Sequence, residues 1–268
     1  MGGLEVRKVV VVPHPTTNCL HTGWLEGDTE SMVVVVGCRD QDASITILST
    51  TLPTRLLDLA VKDGATRVVE GLGENMEDSR QRRAAYNDDY EDYDDYGLSF
   101  ELPDDPFITA LDGDIELPKS VEYKIRLVYD LRLFQYFNYD HSAAKEWVEQ
   151  VVELTRPRLA ALDIPVKLRV IGEPQFVKES IAITRRDNLR LSHKFFVKDD
   201  FVTVSLFTET LGRGAHGIAG VGSACRAPSY DGAPLQPTAL SSLWTEEDRD
   251  FHAASTHAHE LGHTLGLR

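Results

Sequence analysis

Two histidines and a glutamate near the carboxyl end have the clearest chemical meaning in the chain: His259-Glu260-Leu261-Gly262-His263. On a helix, positions four apart lie on one face about one turn apart, so both imidazoles can reach a single zinc ion. Glu260, beside the first histidine, can turn its carboxylate toward water on that metal and take its proton. The chemistry this pattern offers is metal-assisted hydrolysis. The bland reading is a surface helix that carries these three types by accident, an uncommon match given how rare histidine is. Gly266 follows at the position where a left-handed residue ends a helix and turns the chain back toward the metal. The other histidines are set aside. His257 is two residues from His259, on a different face, and reads as a core or surface residue. His252 is two turns earlier, about 10 Å along the axis, and cannot share the ion. His14, His21, His141, His193 and His216 have no ligand-like spacing.

A helix must carry this group. Thr245-Glu246-Glu247-Asp248 resembles a capping box, which predicts a helix from there to about Leu265. Upstream, Val121 to Asp130 alternates apolar and polar residues as a half-buried strand does. Ser142 to Leu162 places apolar residues at helical spacing, with a kink or break expected near Pro157. Pro165 to Phe176 alternates again, Phe201 to Phe207 is a strong strand, and Gly217 to Gly222 reads as a fourth whose glycines allow close approach of another backbone. Cys225 to Trp244, rich in Ser, Pro, Gly and Ala, reads as a loop. Strands separated by a helix and followed by a helix predict an α/β or α+β layered domain.

The 268 residues carry a formal charge of -15, from 28 Lys plus Arg against 43 Asp plus Glu, with 42% hydrophobic residues. That apolar share is enough for a real core. The negative balance excludes nucleic acid as a non-specific partner, which needs Lys and Arg against phosphates, and excludes a polybasic membrane anchor. The apolar runs Val9 to Val12 and Met32 to Val36 are far too short to span a bilayer, and no secretory signal follows Met1. The charge is concentrated: Ala84 to Pro118 holds twelve acidic residues and no Lys or Arg, while residues 119–268 hold nineteen of each sign. This low-complexity stretch reads as a solvated linker, which divides the chain into residues 1–83, 84–118 and 119–268. Tyr90, Tyr93 and Tyr96 within it suit either sulfation or a plain acidic spacer. Just before it, Arg80-Gln81-Arg82-Arg83 matches the pattern cut by furin-like convertases.

The segment His259-Glu260-Leu261-Gly262-His263-Thr264-Leu265-Gly266-Leu267 resembles the zinc motif of metzincins. The glycine-rich Gly217 to Gly222, ending in Ser223-Ala224-Cys225, narrows the likeness to the reprolysin (adamalysin) family of ADAM-type proteinases. Cys19 to Gly27, Asp28 to Ser31 and Cys38 resemble the end of that family's prodomain. The resemblance implies a metzincin-type catalytic subdomain in residues 119–268, with a mixed twisted sheet, flanking helices and a zinc-bearing helix, preceded by a small β-rich prodomain segment in residues 1–83. It implies a zinc-dependent metalloendopeptidase made as a zymogen, with Zn2+ on His259 and His263, and Glu260 as general base and acid. Gly217, Ile218, Ala219 and Gly220 would bind a peptide as an added strand. The resemblance further implies convertase processing at Arg80, Arg82 and Arg83, a Cys19–Cys38 disulfide, a partner for Cys225 beyond the motif, a secreted or cell-surface location, protein or peptide substrates and further domains. Two departures stand out. Residues 39–83 hold no cysteine of the kind that silences many such prodomains, and the family's third zinc histidine would be residue 269, after Arg268. The chain is thus expected to be a fragment of a longer enzyme, with weak zinc binding and little activity on its own. The contrasting expectations are a non-catalytic reprolysin-like protein that binds substrates or inhibitors without cutting them, and another zinc peptidase class with a glutamate as third ligand.

Overall fold

The computed structural model describes residues 9–13, 20–39, 42–49, 51–52, 56–62, 65–71, 118–162, 164–180, 202–211, 216–224, 229–230, 233–234, 237–243 and 249–267. The fold is α+β, built on two large sheets. The first is an antiparallel meander of six strands in sequence order: β1 (Val9–Pro13), β2 (Leu20–Leu25), β3 (Asp28–Arg39), β4 (Asp42–Leu48), β5 (Leu56–Lys62) and β6 (Ala65–Gly71). A two-residue turn joins β2 to β3, and Gly27 supplies its left-handed φ of 85°. The buried Asp28 carboxylate, which accepts from the Ser49 and Thr51 hydroxyls, pins that turn to the end of β4.

The second sheet contains β7 (Val121–Tyr129), β8 (Val166–Val170), β9 (Gln175–Phe176), β10 (Thr203–Thr208), β11 (Gly217–Ala219) and β14 (Thr238–Ser242), with a separate hairpin of β12 (Ser229–Tyr230) and β13 (Ala233–Pro234). Its order is β11-β14-β10-β7-β8, with β9 continuing beside β7. All pairings are parallel except β11 with β14. Every residue of β10 is buried, as expected of a central parallel strand covered on both faces.

Among the described residues three helices accompany the sheets: α1 (Leu131–Tyr136), α2 (His141–Ala160) and α3 (Arg249–Thr264). Asp130 caps α1 by accepting from the Leu133 amide and also accepts from Thr208 on β10. Asp140 caps α2 through the Ser142 and Ala143 amides. α2 and α3 pack side by side on one face of the second sheet, α2 over β7 and β8, α3 over β14 and β11. The outer side of α2 meets β3 and β4 of the meander. Leu20, Val34 and Val36 from the meander therefore share one apolar cluster with Trp147, Val151 and Leu154 of α2.

The structure corrects four expectations. α2 passes through Pro157 without a break. The proline lies in the last turn, so little helix follows it, and the buried Leu154 and Leu159 hold that turn in place. Residues 225–244 are not all loop, because β14 lies among them in the heart of the sheet. The expected strand Pro165 to Phe176 divides at Gly172, whose φ is 75°. The glycine-rich strand is shorter than Gly217 to Gly222, ending at Ala219. Residues 245–248, where the capping box was read, lie outside the described residues.

Candidate metal centre

α3 positions the group by splitting its surface. Ala253, Ala254, His257, Leu261 and Thr264 form a buried stripe at helical spacing, which leaves His259 exposed and His263 partly so. His259, Glu260 and His263 each place a ligand atom within 4.8 Å of the others, and the two imidazole rings stand 4.3 Å apart, centre to centre. His263 Nδ1 lies 2.8 Å from the Leu267 carbonyl, which can only accept. Nδ1 thus carries the proton and Nε2 keeps its lone pair for a cation.

The chain after α3 creates that carbonyl. Gly266 has a φ of 97°, its amide donates to the His263 carbonyl, and the Leu267 amide donates to that of Gly262. This is a Schellman end, with Leu267 lying over Gly262. A second device holds the same helix end. The Gly222 and Ala224 amides, in the turn just after β11, donate to the carbonyls of His263 and Thr264 at 2.8 and 2.9 Å.

Glu260 is only 5% exposed. Its carboxyl packs on β11, and a Cβ built on Gly217 would fall 2.6 Å from Glu260 Cγ and 2.7 Å from Cδ. Any side chain there would force the Glu260 carboxyl to move. Gly217 pairs with Ser241 and Ala219 with Ala239, so four small residues form the floor on which α3 lies. Burial pushes the Glu260 carboxyl up to about 7, and its Oε2 is buried without a hydrogen-bond partner among the described residues. A buried carboxylate oxygen with no partner among the described residues, beside the imidazoles of His259 and His263, is a donor set that fits a divalent cation such as zinc.

Behind the group, His257 is fully buried between α2 and β10. Its Nδ1 lies 3.2 Å from Thr155 Oγ1 and its Nε2 2.9 Å from Ser205 Oγ. The Thr155 hydroxyl spends its hydrogen on backbone carbonyls, so it accepts from Nδ1, and Nε2 accepts from Ser205. Burial lowers the His257 pKa to about 3 and keeps the ring neutral. Tyr123 Oη bridges Thr203 and Thr264 at 2.5 and 2.6 Å, tying β7 and β10 to the last turn of α3. The sequence left His257 between core and surface; its four-residue spacing from Ala253 and Leu261 was the signal that places it inside.

Of the residues singled out in the sequence, His259, Glu260 and His263 come together. Gly217, Ile218 and Ala219 form β11 beside them, with Gly220 at its end. Among the described residues, β11 is the outermost strand at this end of the sheet. Arg80, Arg82, Arg83, Cys19 and Cys225 lie outside the described residues. Cys38 lies in β3 with its side chain undescribed, so the Cys19–Cys38 pairing also lies outside them.

No family model matches the sequence, and no curated protein does. Among solved structures, the chain is similar to one in a chaperone–substrate complex, at 19% identity and a TM-score of 0.40, covering 56% of this chain and 24% of that one. It therefore spans about a quarter of that protein's length. It is also similar to metalloproteinase-II from Bacteroides fragilis, at 14% identity and a TM-score of 0.37, covering 97% of this chain and 75% of that one. Likeness at these scores is too loose to bear on the chemistry, which rests on the site's own geometry.

Proposed function

We propose that the chain carries the active site of a zinc-dependent metalloendopeptidase of the reprolysin kind. One observation carries this reading: two imidazoles and a buried carboxyl, whose Oε2 has no hydrogen-bond partner among the described residues, converge within 4.8 Å beside β11. His259 and His263 would hold the metal. When bound, zinc supplies Lewis-acid polarisation of a peptide carbonyl and makes water more acidic. Glu260 takes a proton from the attacking water as its oxygen adds to the carbonyl carbon. It returns that proton to the amide nitrogen as the C–N bond breaks. Burial raises the carboxyl in the metal-free chain, and a cation held by His259 and His263 would draw it back down, leaving Glu260 ionised to act as a base near neutral pH. β11 would align the substrate backbone by main-chain hydrogen bonds.

In the same reading the substrates are proteins or peptides, the enzyme works outside the cell or at its surface, and a furin-like convertase cuts after Arg83. The test, on the chain extended past Arg268 by a segment that supplies a third histidine, is zinc content measured together with cleavage of a quenched fluorescent peptide. Glu260→Gln should keep the metal and lose at least about 100-fold in cleavage, while His259→Ala should lose both. Chelation should abolish cleavage and added zinc restore it. Full cleavage by Glu260→Gln would sink the assignment.

A further inference from the structure

The outer side of α2 carries a feature the metal centre does not use. Arg158 lies 3.4 Å from Asp58 of β5, and the two side chains are 6% and 2% exposed. Strand register sets Thr22, Val34, Thr46 and Asp58 opposite one another across β2 to β5, so they share the sheet face that meets α2. Thr46 Oγ1 donates to Asp58 Oδ1, and Arg158 donates to the Leu154 carbonyl, so each charge has a second partner. Leu20, Val34 and Val36 continue the α2 core around the pair.

We propose that the amino-terminal meander is a lasting brace on α2 rather than a plug over the metal centre: it stays seated after the chain is cut between the two sheets, and leaves the centre open throughout. Its departure would bare apolar side chains of one shared core. Departure would return Arg158 and Asp58 to water, so the apolar core supplies most of the hold, whereas removing Asp58 alone would leave a buried guanidinium uncompensated in the seated state. Salt screens such a buried pair poorly. Arg158 lies one turn from Thr155, the hydroxyl that grips His257, so the brace bears on the helix that orients α3. The elements packed most closely on α3 are α2, β14 and β11, and His259 is exposed with the brace in place.

The experiment uses the full chain with an amino-terminal affinity tag and a specific protease site in place of residues 80–83. After complete cutting, the two pieces should co-purify on the tag and co-elute as a 1:1 complex, even in about 0.5 M salt. Asp58→Asn should speed their separation by about tenfold or more. Immediate separation of the cut wild-type pieces overturns the brace, whatever the variant does. Openness is read in the uncut, chelated chain by diethyl pyrocarbonate labelling, mapped by mass spectrometry. His259 should react while His257 stays protected; protection of both overturns the open site. Neither readout needs peptide cleavage, so the brace and the peptidase reading fail separately.

Discussion

The two sheets solve different problems with the same number of strands. In the meander each strand pairs with its sequence neighbour, so its order follows from turns such as Glu26-Gly27. In the second sheet Leu127 lies beside Ser205 and Val204 beside Thr238, so distant segments must meet before any site exists. The meander is built of ordinary β-formers such as Val33 to Val36. The second sheet places glycine, alanine and serine beneath α3, giving up strand propensity so that a helix can come close. Chemistry is concentrated where local preference was sacrificed to reach a packing distance.

Substitutions can break this contrast. Gly217→Ala should have the largest effect, because the new Cβ collides with Glu260: about 1–3 kcal/mol of stability and, through displacement of the carboxyl by about 1 Å, about 100-fold in peptide cleavage. Urea unfolding and peptide kinetics read the two losses; a fully active variant would show that β11 does not set the position of Glu260. His257→Ala should cost about 3 kcal/mol, because it opens a cavity and removes the ring's hydrogen bonds with Ser205 and Thr155.

The same histidine predicts a pH dependence. Its pKa falls from 6.5 to about 3 on folding, so between those values the unfolded chain binds a proton that the folded chain refuses. Stability is therefore full above pH 6.5 and declines as pH falls toward 3, at about 1.4 kcal/mol per pH unit from this group. Comparing urea midpoints across that range with those of His257→Gln should show a shallower slope in the variant. The smallest effect belongs to the meander's other face. Val35→Thr, at a partly buried position, should cost less than about 1 kcal/mol and leave cleavage unchanged. A large loss of cleavage there would erase the distinction between the two sheets.

The three residues of the candidate metal centre were legible in sequence because a four-residue spacing is a property of one helix and needs no tertiary knowledge. The strand alternation of Val121 to Tyr129 was legible for the same reason. β14 was not. Thr238-Ala239-Leu240-Ser241-Ser242 has the composition of a loop, and only the presence of α3 above it explains why small residues suit a buried strand. The close approach expected of the glycine-rich segment was sound, but the partner proved to be the Glu260 side chain, which spacing along the chain cannot reveal. Asp58 and Arg158 carried no local signal at all, since each is an ordinary charged residue until the two sheets are assembled.

The two amides that join the turn after β11 to the end of α3 have a mechanical consequence. Edge strand and helix are coupled by main chain, like the two jaws of a fixed gauge. A load placed on the strand passes to the backbone at His263 without relying on any side chain. Surface residues around the opening can therefore change while the spacing between the strand and the imidazoles stays the same.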